Sequence, residues 1–536
     1  MFDVVVRNGF VVDGTGNPWF RADVGVKDGK IARIGRISGS EADRVLDVTG
    51  LVVCPGFIDV HTHSELSILV NPKAETSVRM GATTHIVGNC GFSAAPLGVE
   101  TRKSLLFESE LSSFIEVDWK TLREYFNRLE RQGTAINIGS LVGHGTVRNA
   151  VMGQEARTPT SGELEEIKRL VAQAMEDGAF GLSTGLVYTP CRFAETSELI
   201  GLCKLVARYG GIYATHVRSQ SDMYKEAIAE AIEIGEKSGV PVHLSHQGAM
   251  PPHWGENQEF FRAVYEARER GLDVTIDVIG GIEGLGSLND MFPPWATDGG
   301  IEEQLKRLRD PKMRERLKRE LKGETNWNRN VPALWAREDR WDMLRLHTAK
   351  DESLLGKTIA EAARSKDKDP FEFLFDYLVE EGKPRGTVEI VFNEEDIKYM
   401  ITLPFQMFSC DVWPVAPYGP LSKSASYPTQ YGCYPWIFRR FVREEKLLTL
   451  EEAVRKMTSL PAQRFKLWDR GLIREGMWAD MVVFNPKSIA DKGTKEKPRQ
   501  YPVGIEYVLV NGGITVEKGE HTGALAGKVL RHPVEN

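Results

Sequence analysis

Residues 55–65 read P-G-F-I-D-V-H-T-H-S-E, a short apolar run that ends in two histidines one residue apart. Such a run predicts a β-strand, and because side chains alternate along a strand, His61 and His63 fall on the same face. Two neutral imidazoles placed in this way can bind one metal ion. An isolated H-x-H pair is equally compatible with hydrogen bonding at a surface, so the interpretation depends on the rest of the chain.

The composition predicts an ordinary soluble globular protein. The chain has 536 residues, of which 41% are hydrophobic and 27% charged, enough for one large domain and a smaller one. The net charge is −7, and Lys and Arg are scattered among Asp and Glu, so no basic patch is available for nucleic acid or an anionic membrane. We therefore expect a small-molecule ligand and no nucleic-acid or membrane partner, and leave open whether the chain forms a homo-oligomer.

Neither the N-terminus nor the cysteines indicate secretion. The first residues, M-F-D-V-V-V-R-N-G-F, lack a basic segment followed by an apolar one, and no run approaches the roughly 18 apolar residues that cross a bilayer. The 6 cysteines are widely spaced and form no C-x-x-C pair, which argues against a disulfide framework or a structural zinc knuckle. These features predict a cytoplasmic protein in which any functional cysteine acts alone.

Both ends of the chain carry short runs of alternating apolar and polar residues, separated by turns that contain glycine. The pattern occupies residues 1–55, as in A-D-V-G-V-K-D-G-K-I, and returns in residues 469–536, as in Y-V-L-V-N-G-G-I-T-V. Such runs are typical of antiparallel strands. We therefore predict one β module built from both termini, beside a central domain at residues 56–468.

The central domain alternates apolar strands with helical stretches. Eight such units predict an α/β fold with a closed (β/α)8 (TIM) barrel. The gap between the last two strands is too long for one barrel connection, so we expect an insertion around residues 283–348, placed to cover the barrel mouth. The candidate strands are residues 57–63, 81–89, 136–144, 178–183, 211–217, 240–246, 272–278 and 405–411.

Side chains that can bind metal fall at the carboxyl ends of five of these strands, where barrel enzymes carry their chemistry. Alone, a cysteine in such a place is most often a small buried hydrophobe, and an aspartate is most often a helix cap. Together, these side chains predict one metal site at the barrel mouth. In chain order they are His61, His63, Cys90, His216, His246 and Asp411.

Several longer motifs surround these residues and carry a resemblance to a known family. They are G-F-I-D-V-H-T-H-S at 56–64, G-N-C-G-F-S-A-A-P at 88–96, G-H-G-T-V-R at 143–148, G-L-S-T-G-L-V-Y-T-P at 181–190, A-T-H-V-R at 214–218, L-S-H at 244–246, and T-S-L-P-A-Q-R-F through G-L-I-R-E-G-M-W-A-D-M-V-V-F at 458–484. Over essentially its whole length the chain resembles the amidohydrolase superfamily and, within it, the N-acyl-D-amino-acid deacylase (D-aminoacylase) family.

The resemblance implies a barrel flanked by a small β-sandwich, with a zinc site and Asp411 as the catalytic acid/base. A thiolate with two imidazoles suits zinc, and three ligands leave a position for water, whose pKa then falls towards about 7. Asp411 can accept the proton of that water and pass it to the departing nitrogen. The implied ligands of a tightly bound zinc are Cys90, His216 and His246, and those of an adjacent weaker or empty site are His61 and His63.

The oxyanion that develops on an amide carbonyl also needs a donor. His144 and Tyr188, in the loops after the third and fourth strands, are the candidates, and each is equally compatible with packing at the barrel rim. His85 and His243 lie inside strands, so we expect them to pack in the core or to support ligands rather than to bind metal.

Differences from the D-aminoacylase pattern concern the substrate. In that family the substrate carboxylate is held by a Lys after the strand 6 histidine, by a Tyr and a Ser after strand 7, and by an Arg beyond the strand 8 aspartate. Here Gly248 and Thr429 stand in the places of the Lys and the Arg, the Tyr is lost, and Ser287 is retained. Neither Gly nor Thr can replace a bidentate Arg–carboxylate contact. The loops gain aromatic and apolar residues instead, and His253 and Trp413 become candidates for substrate binding.

Arg218 is the main remaining candidate for an anion clamp, although a structural ion pair explains it equally well. We therefore predict a zinc-dependent amidohydrolase that cleaves a C–N amide bond in a larger, less charged substrate than an N-acyl-D-amino acid. A cyclic-amide or carbamate hydrolase of the same superfamily is the nearest alternative, and a product assay would separate the two. A non-catalytic assembly protein with the same fold is the alternative from another class.

Overall fold

The computed structural model describes residues 1–99, 101–102, 111–281, 283–382, 387–423 and 426–533. Its strands are β1 (Phe2–Val11), β2 (Phe20–Lys27), β3 (Lys30–Gly35), β4 (Ala42–Asp47), β5 (Val52–Pro55), β6 (Phe57–Asp59), β7 (Ala82–Val87), β8 (Asn137–Ser140), β9 (Val142–Gly143), β10 (Gly181–Gly185), β11 (Ile212–His216), β12 (Val242–Leu244), β13 (Val274–Ile279), β14 (Glu283–Ser287), β15 (Thr387–Val391), β16 (Gln406–Ser409), β17 (Met481–Phe484), β18 (Ile505–Val510), β19 (Gly513–Glu517) and β20 (Glu520–His521).

The α-helices connect these strands and surround the barrel. In this described part of the chain, no helix combines the length and the apolar character needed to cross a membrane. The helices span Ser67–Val70, Glu75–Arg79, Leu122–Gln132, His144–Met152, Ser161–Glu176, Thr196–Arg208, Tyr224–Ser238, Asn257–Glu269, Pro294–Thr297, Ile301–Arg309, Pro311–Leu321, Val331–Arg337, Ile359–Ser365, Pro370–Glu381, Glu394–Ile401, Thr429–Ile437, Leu450–Met457 and Ser459–Arg464.

Eight parallel strand positions form a ring. β6, β7 and β8 pair side by side, and β9, β10, β11, β12, β13 and β16 continue the ring in that order. β8 and β9 lie on either side of Leu141 in one stretch of chain, and the Leu141 amide donates to the Val87 carbonyl (2.8 Å). Each of the eight strands predicted from sequence overlaps one of these positions, so those predictions are confirmed.

The ring closes between its first and last strands. The Asp411 amide donates to the His61 carbonyl (3.0 Å), and the His63 amide donates to the Val412 carbonyl (3.0 Å), which places the chain after β16 beside the chain after β6. The architecture is therefore a closed parallel barrel, and side chains at the carboxyl ends of its strands face one volume. Buried apolar side chains fill its interior, including Val60, Ile86, Leu141, Phe180, Ile212 and Met407.

Strands from both termini form a single nine-stranded sheet. The two ends of the chain meet where β5 pairs with β17 in antiparallel fashion, with Val53 opposite Val483. Because successive side chains of a strand point to opposite faces, Val53 joins an apolar cluster internal to this sheet, whereas its neighbour Val52 joins the core shared with the barrel helices. Strands from both ends of the chain thus share one sheet.

A large insertion with its own hydrophobic core connects β13 to β16. It begins with β14 and ends with β15, which pair in antiparallel fashion. The buried members of this core continue to Leu378, so the insertion is longer than the predicted 283–348. The reason is the helix Pro370–Glu381, which buries Phe371, Leu374 and Phe375 in the core of the insertion and not in that of the barrel.

The insertion contacts the loops that follow the barrel strands. Asn328 Nδ2 donates to the carbonyl of Arg218 (2.5 Å), beyond the end of β11. Arg192 Nη1, in the loop after β10, donates to the carbonyl of Phe292 (3.2 Å). The insertion therefore lies on the side of the barrel where the strands end, as the sequence predicted.

The first turn of the helix Ser161–Glu176 provides a test of local stability. Thr160 Oγ1 accepts from the Glu163 amide (3.3 Å), and Glu163 Oε2 accepts from the Thr160 amide (2.8 Å). Thr160→Ala removes this cap and is expected to cost about 1 kcal/mol, seen as faster hydrogen–deuterium exchange in the first turn and a lower urea midpoint. Ser161→Ala, at the exposed first helical position, is the matched control. Equal effects of the two changes would show that the cap is not important.

Candidate metal centre

Five barrel strands deliver the candidate ligands to the same end of the barrel. β6 leads into His61 and His63, and β7 leads into Cys90. β11 ends at His216, while the remaining two, His246 and Asp411, follow β12 and β16. Because all these strands are parallel, their carboxyl ends meet at one mouth. The structure thus brings together all six side chains that the sequence predicted as ligands or catalytic groups.

Cys90 lies at the centre of the buried part of this group. Its Sγ is 3.3 Å from His61 Nε2 and 3.4 Å from His246 Nε2, and the donor atoms of these three residues all lie within 4.8 Å of one another. His216 Nδ1 is 3.8 Å from the same sulfur, and its ring centroid is 4.4 Å from that of His246. The sulfur therefore faces His61 as closely as the two histidines that the family resemblance pairs with it.

A second group of three ligands adjoins the first and shares His61 with it. Asp411 Oδ1 is 3.4 Å from His61 Nε2 and 3.3 Å from His63 Nε2. The side chains of His63 and Asp411 are 27% and 25% exposed, whereas that of His61 is fully buried. The centre is therefore closed on the Cys90 side and reached by solvent on the Asp411 side.

Three residues of the centre hold unusual backbone conformations. Cys90, His246 and Asp411 have φ of 52°, 36° and 50°, in the left-handed region that residues other than glycine seldom adopt. Such conformations persist where the surrounding structure enforces them, and they concentrate at functional sites. The next residue, Gly91, is also left-handed (φ 78°), and a Cβ there would lie 2.7 Å from Cys191 Sγ, so this turn requires glycine after Cys90.

Burial determines the protonation states of the ligands. Burial, and then the nearby Asp411 carboxylate, raises the pKa of the Cys90 thiol well above its usual range. Burial lowers the pKa of His61 and that of His216 well below the usual imidazole value, so both rings are neutral at pH 7. A neutral imidazole is the form that binds metal, and a buried thiol ionises when a cation lies beside it.

The donor set and its charge fit a zinc ion. Sulfur with imidazole nitrogens is a typical zinc coordination shell. Within the described ranges, the ion-pair partners of Asp277 and Asp411 are all histidines, so no Lys or Arg neutralises these carboxylates. A bound divalent cation would supply the missing positive charge.

Of the two candidates for oxyanion stabilisation, one lies beside the centre and the other does not. The Tyr188 hydroxyl is 3.4 Å from His216 Nδ1. His144 is fully buried, and its Nε2 is 2.9 Å from Glu198 Oε1, which also accepts from Arg148 (2.8 Å). The prediction for His144 is therefore corrected, because the ring is committed to a buried carboxylate rather than to the barrel mouth.

The other substrate-binding candidates are held by local partners. Arg218 donates from Nε and Nη2 to the two carboxylate oxygens of Glu230 (both 2.8 Å) and from Nη1 to the Arg192 carbonyl (3.2 Å). It is thus the structural ion pair that the sequence allowed as an alternative. His253 Nδ1 is 2.8 Å from the exposed Glu256.

The ring of Trp413 packs against a small cluster that contains Val415, Leu421 and Tyr431, just after the chain has passed Asp411. It is therefore an apolar packing residue, two positions after Asp411 in the chain, rather than a polar contact. His85 Nδ1 pairs with Ser64 Oγ (2.9 Å) inside the barrel, in line with its predicted role as a packed residue.

One buried carboxylate beneath the centre was not singled out from the sequence. Asp277 Oδ1 is 2.9 Å from His243 Nε2, and Asp277 Oδ2 accepts from Ser409 Oγ. The available signal was its position, since it is the one charged residue in the buried V-T-I-D-V-I stretch of β13. A charged side chain in a fully buried strand is unusual unless it has a partner.

The chain is similar to known proteins along nearly its whole length. Residues 44–516 match the amidohydrolase family. An N-acyl-D-glutamate deacylase from Alcaligenes xylosoxydans xylosoxydans is 32% identical over 514 residues, covering 95% of this chain and 93% of the relative. A solved N-acyl-D-glutamate deacylase from Bordetella bronchiseptica, complexed with zinc and a phosphonate mimic of the tetrahedral intermediate, has a TM-score of 0.81 at 30% identity, covering 99% of both chains. A D-aminoacylase studied for its binuclear metal centre also has a TM-score of 0.81 at 30% identity, covering 99% of this chain and 100% of the other.

The matches in sequence and in fold agree with the geometry of the strand ends. The sulfur and imidazole groups lie where a barrel of this kind carries its chemistry. The family match covers the barrel, and the match to the solved structure also covers the terminal sheet. The chain belongs to the amidohydrolase family and is a metal-dependent hydrolase of carbon–nitrogen bonds other than peptide bonds.

Proposed function

We propose that this protein is a zinc-dependent amidohydrolase that removes an acyl group from an amide nitrogen in the manner of the D-aminoacylases. The observation that carries the proposal is the cluster formed by Cys90, its histidine neighbours and Asp411. It combines a buried thiol, buried imidazoles and one solvent-reached carboxylate at the end of a barrel. These are the groups that hydrolysis by activated water needs.

The residues divide into a tight and a weaker set of ligands. Following the family resemblance, we assign Cys90, His216 and His246 to the tight set, and a thiolate among three ligands binds zinc more firmly than imidazoles alone. His61 and His63 belong to the weaker set, with Asp411 between them. A binuclear centre in the D-aminoacylase relative supports two adjacent positions. Zinc supplies the Lewis acidity that makes water a nucleophile at neutral pH.

Asp411 is the proton carrier of the proposed reaction. Its carboxylate reaches the solvent-exposed side of the centre and lies 3.3 Å from His63 Nε2. There it accepts a proton from the attacking water and returns it to the nitrogen when the C–N bond breaks, since an amine leaves poorly unless it is protonated. The Tyr188 hydroxyl, beside His216, is placed to donate to the carbonyl oxygen as negative charge develops there.

We further propose that the substrate is larger and less charged than an N-acyl-D-amino acid. Two contacts support this. Arg218, the candidate anion clamp, is paired with Glu230. At Gly248, a Cβ would lie 2.7 Å from the ring of Phe392, so an aromatic ring occupies the space into which a side chain after His246 would extend. A buried carboxylate without a cationic partner is costly, and an apolar wall favours an apolar amine portion.

A matched pair of substrates tests this proposal. N-acetylbenzylamine and N-acetyl-D-phenylglycine differ by the carboxylate alone. We expect kcat/KM to be higher for the neutral amide by about tenfold or more, since an uncompensated charge costs at least about 1.4 kcal/mol. Steady-state kinetics on the zinc-loaded enzyme measures the ratio. A clear preference for the acid, abolished by Arg218→Ala, would show instead that Arg218 leaves Glu230 to bind the carboxylate.

The domain organisation that accompanies this function is also a proposal. We divide the chain into a β-sandwich formed by residues 1–55 and 469–536, and a barrel at residues 56–468 that carries the insertion. The support for a sandwich is the apolar cluster enclosed by the terminal strands, which includes Val6, Val24, Met481 and Leu509 from both ends of the chain. Expression of the terminal segments without the barrel, followed by a test for cooperative unfolding, examines this division.

A further inference from the structure

Asp277 is a fully buried carboxylate beneath the metal centre, and the reaction proposed above does not use it. It is 0% exposed, and within the described part of the chain its ion-pair partners are His243, at 2.9 Å, and His61, at 3.9 Å. Burying a carboxylate without an Arg or Lys partner costs several kcal/mol. The position therefore needs a reason beyond packing.

The nearest ligand of the centre is His61, and its two ring nitrogens face opposite ways. Nε2 faces Cys90 Sγ (3.3 Å) and Asp411 Oδ1 (3.4 Å), on the side of the centre. Nδ1 faces Asp277 Oδ1 at 3.9 Å, and this buried nitrogen has no hydrogen-bond partner in the structure. The carboxylate therefore lies behind the ring of the ligand, beyond hydrogen-bond distance but close enough for its charge to act on Nδ1.

The other contacts of Asp277 hold its side chain in position but do not require its negative charge. Ser409 Oγ donates to Oδ2 from the neighbouring strand β16. His243 is held independently, because its Nδ1 lies 2.9 Å from Thr275 Oγ1. Neither partner needs a negative charge, since a neutral amide at this position would satisfy both hydrogen bonds.

We propose that Asp277 is a positioning residue for His61. A carboxylate behind a metal-binding imidazole fixes the tautomer, turns the ring and increases the basicity of the nitrogen that faces the metal. The negative charge of Asp277 favours the proton on Nδ1, the ring nitrogen on the side of β13, and this leaves the lone pair of Nε2 directed at the centre. Its negative charge also favours a bound cation across the ring. The inference rests on the proposed zinc centre, and its test separates the two.

The test is the affinity for zinc at the weaker position, to which His61 belongs, measured by titrating the metal-depleted protein past its first equivalent of zinc in competition with a chromophoric chelator. Asp277→Asn keeps the shape and the contacts with Ser409 and His243 but removes the charge, and is expected to weaken zinc binding by about tenfold or more. The same change in a His61→Ala background is expected to have almost no effect, because the ring through which Asp277 acts is gone. The visible spectrum of the cobalt-substituted protein should also change with Asp277→Asn, and this change should be absent in the His61→Ala background.

Thr275→Val is the matched control, since it removes the other contact of His243 and leaves Asp277 in place. It is expected to leave zinc affinity within about twofold of the original, on the scale of a lost hydrogen bond remote from the ligand. If Asp277→Asn does not fold, Ser409→Ala carries the test, with an expected loss of about threefold that again disappears in the His61→Ala background.

The possible results are distinct. Unchanged zinc affinity in Asp277→Asn, or an equal loss with and without His61, overturns the positioning role while leaving the zinc centre in place. Failure of the unmodified protein to bind zinc at all overturns the proposed function instead.

Discussion

Replacing Cys90 with alanine is expected to remove both the bound zinc and the hydrolytic activity. The sulfur lies within 3.8 Å of imidazole nitrogens of His61, His216 and His246, so it is the one group that all three histidines share. It is also the anionic ligand on the closed side of the centre. The zinc content should fall from about one ion per chain to nearly none, as elemental analysis of the purified variant would measure.

A second buried thiol provides the control for this experiment. Cys203 is 0% exposed and lies in the helix Thr196–Arg208, which packs on the outside of the barrel. Cys203→Ala should keep both metal and activity while costing a similar amount of packing. If Cys90→Ala retains its zinc undiminished, the assignment of the sulfur as a ligand is wrong.

The barrel and the clustering of the candidate ligands were predictable because both depend on short-range patterns. Each strand is an apolar run of a few residues, and His61, Cys90 and His216 each stand at or just beyond the end of such a run. The order of parallel strands in a barrel follows the order of the chain, so residues at strand ends necessarily converge. No knowledge of distant pairing was needed to place them together.

The residues whose roles the sequence left open are those whose partners lie outside their own strand. His144 is fixed by Glu198, and Arg218 by Glu230 on the following helix. Such pairings depend on how helices pack around the barrel, which strand periodicity does not determine. The extent of the insertion was underestimated for the same reason, because an amphipathic helix does not reveal which of two cores receives its apolar face.

The final prediction separates structure from chemistry at Asp411. Asp411→Asn should keep the fold and most of the metal, because asparagine tolerates the left-handed backbone (φ 50°) and has the same shape. It cannot accept a proton, and losing a general acid/base lowers turnover by about a hundredfold or more. The measurements are kcat and zinc content on the same preparation. Asp339→Asn, at an exposed position with φ of 57°, is a matched control for the backbone and should leave turnover unchanged.

The outcome would also identify the proton carrier if it is not Asp411. Nearly normal turnover in Asp411→Asn would transfer the role to another carboxylate of the centre, and Glu65 is the next candidate. Glu65 is 8% exposed, and its Oε1 accepts from the Gly88 amide (2.6 Å), close to the turn that carries Cys90. His144 no longer competes for this role, since its Nε2 is paired with Glu198 in the interior. Glu65→Gln combined with Asp411→Asn would then abolish the turnover that the single variant retains.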